Sequence, residues 1–220
     1  MNTDQNILDK DKMTPVRFGF YNLLSASLYQ PEEDLLEENF VDVLVELAKN
    51  FNLELNDEAE KLRELITGKS CDLKDLKVDY AKLFVGPSKL LAPPYESVYK
   101  DEGYTVMGDS TMKVKKFYEK AGMKLDDDCK EPQDHIAFEM NFMSFLCEGE
   151  DKLRKEGKTQ RADELLAIQK NFFVNHPYTW VNELTKNIKE YAETDFYKII
   201  ACILEKFVEK ENEYLNTVLD

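Results

Sequence analysis

Hydrophobic positions recur at helical spacing along most of this chain. Phe20, Leu23, Leu24 and Leu28 form the first stripe, and Thr14-Pro15 ahead of it reads as a cap and first turn. Gln30-Pro31 breaks the pattern. Leu36, Phe40, Val43, Leu44 and Leu47 share one face of a second helix. Ala59, Leu62, Leu65 and Ile66 line a third, capped by Asn56 and ended by Gly68. A fourth runs from about Asp72 to Phe84 through Leu73, Leu76, Tyr80 and Leu83. A fifth follows Asp109 or Ser110 and carries Val114, Phe117 and Tyr118 to Gly122. The sixth opens at Glu131-Pro132, with Ile136, Met140, Met143 and Cys147 on one stripe and Phe138, Phe142 and Phe145 on the next. So wide an apolar surface suits a central, buried helix. Helices over Lys158 to Asn175, around Trp180, Leu184 and Ile188, and from Thr194-Asp195 to Val208 complete the set, with His176-Pro177 interrupting between the first two. The pattern predicts a single all-α domain of about nine helices over residues 1–220, with residues 1–13 flexible.

One segment departs from this periodicity. Residues 85–108 hold three of the seven prolines and three of the eight glycines, so most of the segment must be loop. It is also rich in Leu90, Leu91, Tyr95, Val98, Tyr99 and Tyr104, which seek burial and argue for order. Pro93, Pro94, Tyr95 and Tyr99 would present a rigid amphipathic surface, with Glu96 to meet positive charge on a bound peptide. The same residues could equally plug the helical core, and the sequence leaves both readings open.

Composition narrows the function. The formal net charge is -15, from 44 acidic and 29 basic residues, which disfavours nucleic acid and membrane surfaces and favours a basic partner. The four cysteines, Cys71, Cys129, Cys147 and Cys202, form no Cys-x-x-Cys pair and lie near no histidine, so neither a zinc site nor a disulfide framework is indicated. Met1 to Met13 lacks the apolar core of a signal peptide, and no window approaches the ~18 apolar residues of a membrane span. A cytoplasmic protein without cofactor or metal is expected.

Catalytic patterns are scarce. No phosphate-binding glycine loop, dinucleotide fingerprint or His-Glu-x-x-His motif is present. Asp134 and His135 are adjacent on the expected helix, about 100° apart, and so do not form a catalytic pair by spacing. Asp134 at the third helical position would serve the free N–H groups there. A nucleotide hydrolase using Asp134 and His135 is the alternative in a different class.

Tyr80-Ala-Lys-Leu83-Phe84-Val-Gly86-Pro87, followed by Ala92-Pro93-Pro94-Tyr95-Glu96-Ser97-Val98-Tyr99, resembles the first signature of the TorD/DmsD/NarJ family of redox-enzyme maturation chaperones. Glu131-Pro132-Gln133-Asp134-His135 resembles the second, and Phe172 or Phe173 with His176 and Trp180 a third. Gly108-Asp109-Ser110 is similar to the turn of the DmsD branch. The resemblance implies an all-helical chaperone, monomeric or a helix-exchanged homodimer. Its partner would be the twin-arginine leader of a molybdopterin-dependent reductase, of the dimethyl sulfoxide or trimethylamine N-oxide type, held until the cofactor is inserted. A NarJ-like nitrate reductase assembly factor is the neighbouring alternative. The resemblance assigns leader binding to Leu83, Phe84, Pro94, Tyr95, Glu131, Asp134 and His135, supported by Gly86, Pro87, Pro93, Glu96, Ser97 and Tyr99. Tyr95 stands where DmsD-like relatives often carry Trp, and Pro177 where relatives more often carry Leu.

Overall fold

Amphipathic helices of this length must bury their apolar stripes against one another. The computed structural model describes residues 9–86, 90–124 and 130–219, which form ten α-helices and no named strand. In chain order they are α1 Lys10–Ser27, α2 Glu38–Phe51, α3 Asn56–Thr67, α4 Leu73–Tyr80, α5 Glu96–Lys100, α6 Asp109–Ala121, α7 Ile136–Lys155, α8 Thr159–Asn175, α9 Pro177–Tyr191 and α10 Asp195–Leu219. A 3-10 turn covers Glu33–Leu36, and a π-helical turn, Ala81–Val85, continues α4. The all-α expectation holds. The additional helix is α5, which interrupts the segment expected to be loop.

Helix α7 is the organising element. It packs along α1 on one side and α8 on another, while α9 packs on α10 and α2 on both α1 and α3. Met140, Phe142, Met143 and Cys147 are fully buried, as their stripe predicts, but Phe145 is 40% exposed. Phe20, Phe51 and Phe207 meet in the core, with ring centroids 4.9 Å apart for Phe20 and Phe207. Beside them lies a charge network. Arg17 is fully buried, and its guanidinium donates to Glu211 at 2.6 Å and to the Gln169 amide oxygen at 2.7 Å. Glu150 lies at 3.5 Å from Arg17 and also accepts from Arg154. These contacts join α1, α7, α8 and α10 through directional bonds that apolar packing alone does not supply.

Several local expectations are corrected. Helix α1 begins at Lys10, so residues 10–13 of the segment read as flexible are helical, and Pro15 lies inside the helix. Thr14 is no cap: its hydroxyl donates to the Lys10 carbonyl at 2.7 Å and to Glu150 at 3.1 Å. Asn56 is the first residue of α3 and not its cap. Val43 is 40% exposed, and the buried face of α2 runs through Val41, Leu44, Ala48 and Phe51. Residues 1–8, Pro87, Ser88, the acidic stretch Asp126 to Asp128 and Cys129 lie outside the described residues.

The start of α7 is the correction that matters for function. The helix was expected from Glu131-Pro132 and begins at Ile136. His135 is extended, at φ -69 and ψ 133, because residues 134–136 bond with the loop through their backbone. The Glu96 N–H donates to the Asp134 carbonyl at 3.0 Å, and the Ile136 N–H to the Pro94 carbonyl at 2.8 Å. Tyr95 and His135 thus form an isolated antiparallel bridge. A backbone committed to a neighbouring segment cannot also be helical.

Candidate functional site

The bridge unites two segments 40 residues apart in the chain, those of Tyr95 and His135. Its framework is buried and closely satisfied. Asp134 is fully buried and accepts from the Ser97 N–H and from the Thr111 hydroxyl, both at 2.8 Å. One carboxylate therefore caps α5 from outside and ties it to α6, a different task from the one expected at a helix third position. His135 caps α7: its Nδ1 accepts from the Ala137 N–H at 3.1 Å. Burial pushes its pKa down to about 3, so the imidazole is neutral. With its acceptor nitrogen committed and Asp134 turned to α5 and α6, the two are not poised as a catalytic pair.

A second buried group lies behind the loop. Glu96, expected to meet a partner's charge at the surface, is fully buried. It accepts from His176 Nδ1 at 2.8 Å and pairs with Lys100 at 2.8 Å. Burial raises its pKa, but His176 and Lys100 outweigh that and hold it below the usual value. Glu139, also fully buried, accepts from Trp180 Nε1 at 3.2 Å. Burial and the neighbouring charges of Glu96 and Asp134 push Glu139 well above the carboxylate range, so it carries a proton. Tyr99 stacks on Trp180 with ring centroids 5.3 Å apart and is bonded by the Asn187 amide at 3.3 Å. The loop is thus anchored to α9, and to His176 at its head, by aromatic stacking and hydrogen bonds.

Of the seven residues assigned to leader binding, two reach the surface. Tyr95 and Glu131 are half-buried, and the Tyr95 hydroxyl donates to Glu131 at 2.6 Å. Burial, then that bond and the charge of Glu131, hold the phenol in its protonated form. Leu83, Phe84, Pro94, Asp134 and His135 lie beneath them. Phe84 packs edge-on against Tyr197 and tilted against Tyr80. The Ala92 N–H donates to the Leu83 carbonyl at 2.9 Å, which fastens the loop to the π-helical turn. Of the supporting residues, Ser97 is buried and Pro93 half-buried, and Gly86 ends the π turn at φ 51. Pro87 lies outside the described residues.

A cleft of about 280 Å³ opens at this point, lined by Tyr29, Gln30, Pro31, Tyr80, Val85 and Glu131 among others. Tyr29 extends the aromatic surface, with ring contacts to His135 at 5.9 Å and Phe138 at 5.7 Å. Rings with a carboxylate at one end can hold an apolar segment beside a positive charge. Among the described residues no cluster of His, Cys, Asp and Glu could hold a metal ion.

Residues 48–186 match the family described as nitrate reductase delta subunit, more than half of the chain. A TorD chaperone from Shewanella pealeana is 26% identical over 93% of this chain and 92% of its own length. A TorD chaperone from Vibrio parahaemolyticus is 27% identical over 64% of each chain. A crystal structure of an Archaeoglobus fulgidus protein assigned to redox enzyme maturation has the same fold, with a TM-score of 0.54 at 24% identity over 87% of this chain and 93% of that one. The chain belongs to the TorD/DmsD/NarJ family of redox-enzyme maturation chaperones. It is accordingly a maturation chaperone and not an enzyme.

Sequence reasoning about this chaperone missed Tyr29, Gln30, Pro31 and Glu139. Gln30-Pro31 registered only as a helix break, although a tyrosine two residues before a proline at the end of an apolar helix is a signal for a packed corner. Glu139 fell among many acidic residues, and only its place amid Ile136, Ala137, Met140 and Met143 marks it as buried.

Proposed function

We propose that this chaperone binds, in the cytoplasm, the twin-arginine leader of a molybdopterin-dependent reductase and holds it while the cofactor is inserted before export. The observation that carries this reading is the cleft beside the Tyr95–His135 bridge, where Tyr95, Tyr29 and Tyr80 meet Glu131. The leader's apolar stretch would lie on the rings and an arginine would pair with Glu131. Burying ~300 Å² of apolar surface at ~25 cal/mol/Å² is worth about 7 kcal/mol before ordering costs, consistent with a complex that must later release.

Curated relatives that span over 90% of this chain include TorD chaperones, which supports a trimethylamine N-oxide or dimethyl sulfoxide reductase client over a NarJ-like nitrate reductase client. The buried state of Asp134 and His135 removes the motive for a nucleotide hydrolase. The test uses Tyr95→Ala and Glu131→Gln, both at half-exposed positions, with a fluorescent leader peptide. Each should weaken binding about five- to tenfold, near 1–1.4 kcal/mol, with melting temperature little changed. Unaltered affinity in both would move the leader to another surface.

A further inference from the structure

The face of α6 turned away from the core is rich in lysine. Lys113, Lys115, Lys116 and Lys120 are all exposed there, against Asp109 and Glu119. Among the described residues none of the four lysines makes an ion pair, in a chain with 44 acidic residues to choose from. Met112, 52% exposed, sits among them. The loop that leads into α6 displays Tyr104 at 82%, Met107 at 66% and Val106 at 41% exposure.

That loop is held, not slack. Asp101 accepts from the Ser110 N–H at 2.9 Å and from its hydroxyl at 2.6 Å, closing the ends. Gly108 is required for the closure, because a Cβ there would lie 2.1 Å from the Asp101 carboxylate. Tyr104 and Met107 take left-handed backbone, at φ 53 and φ 68. For non-glycine residues that conformation costs about 1 kcal/mol each. Two large apolar side chains are thus displayed on strained backbone by a clamped loop, beside unpaired positive charge.

We infer that the 104–107 loop and the exposed face of α6 form a second docking surface, for an acidic protein segment that carries apolar side chains. The charge sets the partner's sign, and it is opposite to that of a basic leader. Methionine and tyrosine side chains adapt to varied apolar partners at low ordering cost. A bilayer is disfavoured because an extended anionic surface would face the whole -15 chain. A single segment senses mainly the charges within a Debye length of ~8 Å.

The test uses the full chain with ¹³C-methyl methionine and a synthetic peptide of alternating glutamate and leucine. The expected result is saturable binding with shifts at the Met107 and Met112 methyls. Affinity should fall at least tenfold in the Lys113→Glu, Lys116→Glu, Lys120→Glu triple variant and in Tyr104→Ser with Met107→Ser. A twin-arginine leader should bind these variants at least as tightly as it binds the parent, which separates this surface from the Tyr95 cleft. Absence of saturable binding, unchanged affinity in both variants, or shifts confined to other methionines would overturn the proposal. Preference for phosphatidylglycerol vesicles over the peptide would overturn it in favour of a membrane surface.

Discussion

His135 is neutral because burial disfavours its charged form, and this ties stability to pH at one residue. Its folded pKa of about 3 lies below the ordinary 6.5. The unfolded chain therefore binds the proton first, and the contribution present above pH ~6.5 is lost as pH falls towards 3. The expected size is at most roughly 5 kcal/mol. His135→Asn keeps a capping side chain without the titration. Denaturant unfolding between pH 4 and 7 should show a flatter acid limb for this variant than for the parent, and parallel limbs would refute the assignment. Glu139 has the opposite sign. Its folded pKa is raised by burial, then by Glu96, so its contribution is present below the usual 4.5 and lost as pH rises. Glu139→Gln mimics the protonated form and can still accept from Trp180. It should stabilise the protein by about 1–2 kcal/mol at pH 8 and have little effect at pH 4, read from the same unfolding curves.

At the scale of elements, what the sequence made legible was whatever depends on local periodicity. The starts of the last three helices were placed within a few residues because His176-Pro177 and Thr194-Asp195 punctuate long apolar stripes, but the last helix was read to Val208 and runs to Leu219. Asp72 caps α4 with a reciprocal bond to Asp75, again a local event. The start of α7 was not legible. Pro132 near the head of an apolar run is a sound helix signal, but pairing of residues 134–136 with residues 94–96 overrides it, and that contact is non-local. The same pairing gives Asp134 its task. Asp134→Ala would leave the Ser97 N–H and the Thr111 hydroxyl without their partner, at a cost of about 2–3 kcal/mol. Hydrogen exchange should then quicken over residues 94–101 while the middle of α7 stays protected. Uniform loss of protection across the chain would contradict a local role. The candidate site was legible as a pair of motifs but not as a surface. Which of those residues reach solvent depends on how the loop crosses the head of α7, and Tyr29 arrives from the bend after α1, which neither motif contains.

At the scale of the whole molecule, the buried Arg17 network fastens four helices, and the Glu96–His176–Lys100 group fastens the loop to them. The cleft beside Tyr95 is thereby presented on a preorganised support, which lowers the ordering cost of binding a flexible peptide. The net charge of -15 adds attraction for a basic segment at long range. Among the described residues no helix is long and apolar enough to cross a membrane. The most direct measurement is a calorimetric titration of the full chain with a synthetic twin-arginine reductase leader, and with the same peptide carrying alanine in place of both arginines, at low and high salt. The expected result is saturable binding near micromolar affinity, weakened at least tenfold by the alanine pair and weakened further by salt. Equal affinity for the two peptides, or no binding to either, would contradict recognition of the arginines at this cleft.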